Sequence, residues 1–142
     1  MDHGPMRIRL CRNADLPAVQ TLLADSPQAS PWALADGSGY HSLIAEADGE
    51  IIGFAMARVV CVGEAELLNV AILPPWRRRG VAERLIRQAL LFSPGDWFLE
   101  VREGNTAAIQ LYEKIGFFMI GKRPAYYADT GEHAIVMTLR AC

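Results

Sequence analysis

The sequence predicts a mixed α/β domain, and three observations carry that prediction. An apolar run from Leu67 to Leu73 stops at Pro74-Pro75 and, after Arg77-Arg78-Arg79-Gly80, gives way to apolar residues at helical spacing. Trp97 to Val101 repeats the succession: an almost wholly apolar run, then Asn105 or Thr106 as a cap for a helical pattern ending near Gly116. Ahead of both, His41 to Ala47 and Ile51 to Val60 flank Asp48-Gly49, the signal of a β-hairpin.

Taken in order, Arg7 to Leu10 alternates polar and apolar residues as a short edge strand does. Asn13 or Asp15 can cap a helix that carries Leu16, Val19, Leu22 and Leu23 on one face. Ser26 to Gly39 is rich in Pro, Ser, Gly and Ala and reads as a loop with a short helix after Pro31-Trp32, a kind of segment that often lines substrate grooves. The hairpin follows, and Glu64 to Leu73 adds a strand. After Gly80, Val81, Leu85 and Ala89 form one stripe with Ala82, Ile86 and Leu90 beside it, a wide apolar face for packing on a sheet. Pro94-Gly95 ends that helix. Trp97 to Val101 has the composition of a strand buried on both faces. Met119 to Arg123 and His133 to Leu139 are the last strands, joined by a loop through Tyr126, Tyr127 and Thr130-Gly131.

With 142 residues, 51% of them hydrophobic and 21% charged, the chain suits one domain over residues 1–142, with 1–5 as a disordered extension before Met6. Cys11, Cys61 and Cys142 are odd in number and show no CxxC or Cys/His grouping, so neither a disulfide frame nor a metal site is indicated and a reduced, cytoplasmic setting is expected. No stretch approaches the ~20 apolar residues of a membrane span. A net charge of -2 argues against direct nucleic-acid binding and suits a basic peptide partner. The expected state is a monomer or weak dimer.

The turn at Gly80 has the chemistry of an anion cradle. Glycine lets the backbone approach a ligand, and the first N–H groups of the following helix carry the positive end of its dipole. Three successive arginines oppose that dipole, a mismatch an anion would relieve. The run lacks the Gly-Lys-Ser/Thr of a P-loop and the three glycines of a dinucleotide fingerprint.

Arg77-x-x-Gly80-x-Ala82 after a strand, with Asn105-x-x-Ala108-x-x-Leu111-Tyr112-x-x-x-Gly116-Phe117 further on, resembles the acetyl-CoA-binding core of the GNAT N-acetyltransferases. Leu99-Glu100-Val101-Arg102, Asn105 to Phe118, Tyr126-Tyr127 and Pro31-Trp32 are similar to the RimI-type ribosomal-protein alanine N-acetyltransferases. The resemblance implies the GNAT fold: a central, mixed, mostly antiparallel twisted sheet of about seven strands, about four flanking helices, and splayed strands 4 and 5. It implies acetyl-CoA as co-substrate, no metal, and transfer to the N-terminal alanine of the eighteenth small-subunit ribosomal protein. Small amines, lysine side chains and a non-catalytic acyl-CoA-binding role are the alternatives.

Residue by residue, the resemblance makes Glu100 the base and Tyr112 the acid that protonates the departing thiolate. Backbone groups of Val70, Ala71 and Ile72 would pair with pantetheine, Asn105 would contact it, and Arg78, Arg79, Gly80, Val81, Ala82 and Glu83 would form the pyrophosphate loop. Trp32, Tyr126 and Tyr127 would shape the acceptor groove. The residues alone leave other readings open: an ion pair of Glu100 with Arg102 or Arg123, a packed Tyr112 ring, Asn105 as a plain cap, and the two tyrosines as sheet aromatics. The pattern departs from the commonest one at Arg77, Ala82, Leu73-Pro74-Pro75 and Ala125. His3, His41 and His133 share no spacing and receive no role.

Overall fold

Alternating burial along the strands produces a two-faced sheet, each face closed by helices. The computed structural model describes residues 6–24 and 39–140. The expected helix after Pro31-Trp32, the extension 1–5 and Cys142 lie outside these residues. Among the described residues the strands are β1 (Arg7–Leu10), β2 (Tyr40–Ala47), β3 (Glu50–Cys61), β4 (Glu64–Ile72), β5 (Asp96–Arg102), β6 (Phe118–Arg123) and β7 (Ala134–Leu139). They form one seven-stranded sheet in the order β1-β2-β3-β4-β5-β7-β6. Among the described residues three α-helices accompany it: α1 (Leu16–Ala24), α2 (Val81–Ala89) and α3 (Thr106–Ile115).

All pairings are antiparallel except β4 with β5. The β2–β3 hairpin turns on Asp48 and Gly49 at φ 52 and 76, the positive dihedrals a two-residue turn requires. On one face, Val19 and Leu22 of α1 pack with Ile44, Phe54, Met56 and Ala71. On the other, Val81, Leu85, Ile86 and Ala89 of α2 join Leu43, Ala45, Ile52 and Ala55, and that core runs on through Trp97, Leu99, Phe117 and Met137. Each fully buried Leu, Ile or Phe contributes about 1.5–3 kcal/mol.

Two details differ from the sequence reading. The helical run opens one turn before α1, with Arg12 rather than Asn13 or Asp15 at its N-cap position and Asp15 closing a capping box on it. Residues Asn13–Asp15 form that single tight turn, and the Asp15 carboxylate accepts from Arg9 at 2.8 and 2.9 Å and from the Arg12 N–H at 2.7 Å. The carboxylate thus serves the helix start, through the Arg12 N–H, and an arginine of the neighbouring strand together. Secondly, β5 is not buried on both faces: Trp97, Leu99 and Val101 are buried, while Phe98 and Arg102 are partly exposed and Glu100 is exposed. The second face is open because β4 leaves it.

That departure has two causes. The β3–β4 register jumps from Met56↔Asn69 to Ala57↔Leu67, so Leu68 is the extra residue of a β-bulge that bends β4. Parallel pairing with β5 covers only Glu64↔Asp96, Ala65↔Trp97 and Glu66↔Phe98. At the paired end Gly95, at φ 128, lies so close to Gly63 that a Cβ would stand 2.4 Å from the Gly63 carbonyl oxygen, which accepts from the Asp96 N–H at 2.9 Å. The strands are pinned there and separate beyond it.

Candidate active site

The separation of β4 and β5 opens a cleft of about 1200 Å³. Residues 66–72 of β4 form one wall and 99–102 of β5 the other. Asn105, Ala108, Leu111 and Tyr112 of α3 close the far side between them, with Tyr126 and Tyr127 at one end and Arg77 and Ala82 at the other. Val70, Ala71, Ile72, Ala82, Glu100, Asn105, Tyr112, Tyr126 and Tyr127 therefore meet around one space, although 57 positions separate the first from the last. Trp32 lies outside the described residues.

At the Ala82 end the chain enters α2 through Gly80, which takes φ 81 and ψ 7. Only glycine adopts that left-handed geometry without steric cost. The first helix-type bond runs from Arg84 N–H to the Gly80 carbonyl at 3.1 Å, so the N–H groups of Val81, Ala82 and Glu83 have no acceptor within the helix. An anion is favoured there by those donors and by the dipole. The side chains of Arg78, Arg79, Val81 and Glu83 do not line the cleft. Arg79 lies over the Trp76 ring at 5.6 Å, whereas the Arg77 Nε donates to the Ile72 carbonyl at 3.0 Å and holds that guanidinium beside β4. The Glu83 carboxylate is bound by Lys114 and Arg87, each at 3.0 Å, and these cations hold its pKa below the usual carboxylate value. Its charge is thereby offset near the anion cradle.

At the other end Glu100 pairs with Arg123, Oε1 to the guanidinium at 3.3 Å, with the Glu100 side chain 29% exposed. Of the two arginines the sequence offered, Arg102 is committed elsewhere. It donates twice to Asp129 at 3.0 and 3.1 Å, lies 3.7 Å from Glu132, and stacks on the Tyr127 ring at 4.1 Å. Alternation still puts Arg102 on the Glu100 face of β5, a signal that could have marked it as a support for the site. Arg123 carries the same message only once β6 and β7 are paired.

Asn105 caps α3, its Oδ1 accepting from the Ala108 N–H at 3.3 Å. Tyr112, two turns on, meets Phe117 edge to face at 6.0 Å, and burial pushes its phenol up to about 12, with Tyr127 adding to the effect. The Tyr127 phenol is also raised, first by burial and then by the charge of Glu100. Glu100, Tyr127 and Tyr112 all line the cleft, and Tyr127 is close enough to each of the others to influence or be influenced by its charge. An acid with an exposed face, a phenol that keeps its proton, and an open strand edge between them can accept one proton and steady a developing anion. Among the described residues no group of three or more His, Cys, Asp or Glu side chains could hold a metal ion.

Comparison with known proteins agrees with this geometry. A model of the acetyltransferase (GNAT) family matches residues 11–117. The chain is similar to the [ribosomal protein bS18]-alanine N-acetyltransferase of Salmonella typhimurium, 36% identical over 143 residues that cover 93% of this chain and 95% of the relative. The Escherichia coli K12 protein of the same name is 35% identical over 136 residues, covering 88% and 90%. The crystal structure of the ribosomal-protein-S18-alanine N-acetyltransferase from Escherichia coli superposes with a TM-score of 0.81 at 29% identity, over 96% of this chain and 94% of that one.

Proposed function

The chain belongs to the acetyltransferase (GNAT) family, and from that premise we propose that it acetylates the α-amine of an N-terminal alanine, that of ribosomal protein bS18, by direct transfer from acetyl-CoA. The observation that carries the reading is the cleft itself: Glu100 on one wall and Tyr112 on the helix behind it flank an unpaired strand edge.

The residues present fit acetyl-CoA. From Leu67 onward the β5-facing edge of β4 has no strand partner, so backbone groups of Val70, Ala71 and Ile72 can pair with a pantetheine arm as an added strand would. Pyrophosphate suits the N–H groups of Val81, Ala82 and Glu83, with Asn105 and Arg77 beside the channel. When bound, acetyl-CoA supplies an acyl group activated as a thioester. One N–H of the β4 edge would polarise its carbonyl.

Glu100 removes the proton from the acceptor amine. An α-amine has a pKa of about 7.7–8.0 against about 10.4 for lysine, so roughly a tenth is already neutral at pH 7 and a modest base suffices. Tyr112 holds its proton throughout the neutral range, since its pKa lies near 12. Complete transfer to a thiolate of ordinary pKa, about 8.5, would be uphill by roughly 5 kcal/mol. Its phenol therefore acts by donating a hydrogen bond that strengthens as charge develops on sulfur, rather than by giving up its proton early. Tyr126 and Tyr127 form the acceptor-side wall.

A synthetic peptide with the bS18 N-terminus, mixed with acetyl-CoA and this protein, should gain the mass of one acetyl group on its first residue while CoA thiol appears in equal amount. Absence of both, or acetylation confined to internal lysines, would overturn the assignment.

A further inference from the structure

Ala125 adopts φ 48, left-handed geometry that alanine takes at a cost, because it lacks the polar side chain with which Asn or Asp bonds locally in that region. Its N–H donates to Nδ1 of His133 at 2.9 Å. The next two residues are Tyr126 and Tyr127.

The two halves of this loop are held differently. Residues 127–132 are tied many times over: Asp129 and Thr130 to Arg102, the Tyr127 N–H to the Glu132 carbonyl, the Gly131 N–H to the Tyr127 carbonyl, and Glu132 to the Gly104 N–H. For the first half, Pro124 has no N–H to give, and the Ala125–His133 bond is the main-chain tie that fixes it. His133 is itself anchored to the sheet, since its carbonyl accepts from the Glu103 N–H at 3.0 Å and Ala134, the next residue, pairs with Arg102 of β5. The imidazole that accepts at Nδ1 carries its proton on Nε2.

We propose that His133 is a positioning residue: its Nδ1 holds Ala125 in the left-handed conformation and so sets Tyr126 against the already tied Tyr127, completing a fixed acceptor-side wall beside Glu100. This rests on the reading of the cleft as a peptide α-amine site and deepens it. The pin acts on the acceptor side of the cleft alone, because the β4 edge and the start of α2, where acetyl-CoA would lie, share no contact with it.

The test compares His133→Ala with His133→Asn, whose Oδ1 occupies about the place of Nδ1 and can accept the same bond. His133→Ala should raise KM for an alanine-starting peptide about threefold to tenfold, the range one net hydrogen bond supports, with acetyl-CoA affinity unchanged. His133→Asn should return KM to within about twofold of wild type. Hydrogen exchange at the amides of Ala125 and Tyr126 should accelerate in His133→Ala alone, with the Tyr127 amide and the β5 amides unaffected. Unchanged exchange in His133→Ala, a His133→Asn variant as loose as His133→Ala, or a loosened loop with unaltered peptide KM would each overturn the proposal. If wild type acetylates no alanine-starting peptide, the functional reading fails, while loop exchange still decides whether His133 is the pin.

Discussion

At the scale of single residues, the proposed chemistry assigns its two roles to groups whose surroundings differ. Glu100 lies on the open face of β5 and is shared with Arg123, so its carboxylate is both solvated and exchangeable. Glu100→Gln should lower kcat by about 10²-fold, the low end for general-base catalysis because part of the α-amine is already neutral, while calorimetry should show acetyl-CoA affinity intact. Equal loss of both would assign the residue to its ion pair instead. Tyr112 differs in being half-buried, with its ring edge-on to Phe117. Tyr112→Phe should lower kcat about 10- to 100-fold with little change in KM. Because burial raises the folded-state pKa from 10.0 to about 12, the contribution of this phenol to stability is complete below pH 10 and is lost as pH rises through about 12. Denaturant unfolding of wild type should therefore weaken across that window, and the phenylalanine variant should lack this part of the decline. Both residues could be picked out from sequence by their motifs. Their distinct environments could not, since each depends on strands and helices remote in the chain.

At the scale of elements, what matters is where β4 and β5 are joined and where they part. Gly95→Ala would force a Cβ to within 2.4 Å of the Gly63 carbonyl oxygen, a main-chain atom with little freedom to yield. A loss of about 3 kcal/mol in urea unfolding is expected, together with weaker acetyl-CoA binding, because the pinned end sets the width of the cleft. At the opposite edge, Asp15 links β1 to the start of α1 through Arg9, which also pairs with Glu46 at 3.1 Å. Hydrogen bonding from Arg9, aided by the Arg12 N–H, lowers the Asp15 pKa from 3.8 to about 2. Its stabilisation is present above pH 3.8 and disappears as pH falls through about 2. Asp15→Asn should cost about 2 kcal/mol at pH 7, with the gap from wild type closing over that acidic range. Periodicity located these elements to within a residue or two. It marked Asp15 as a helix-start residue, which the bond from the Arg12 N–H bears out, but not its second partner, because Arg9 comes from a strand.

At the scale of the molecule, the cleft couples ligand binding to the stability of the whole sheet, since its walls belong to strands on both sides of the split. Acetyl-CoA at about 100 times its Kd should add about 2.7 kcal/mol of stability and raise Tm by roughly 5–10 °C in a thermal melt. No shift would mean that the open β4 edge and the α2 N-terminus do not form one binding channel. The sequence by itself determined the strands and helices, the Gly80 turn and the Asn105 cap, and offered Glu100 and Tyr112 as the proposed base and phenol, because periodicity, turn chemistry and motif are properties of neighbouring residues. Only the tertiary structure decided that Leu68 bulges, that pairing stops after Glu66↔Phe98, that Arg123 rather than Arg102 meets Glu100, and that His133 holds Ala125. Each of these is a contact between segments distant in the chain, fixed by strand register and packing, and no local pattern of residues encodes a register until the strands have met.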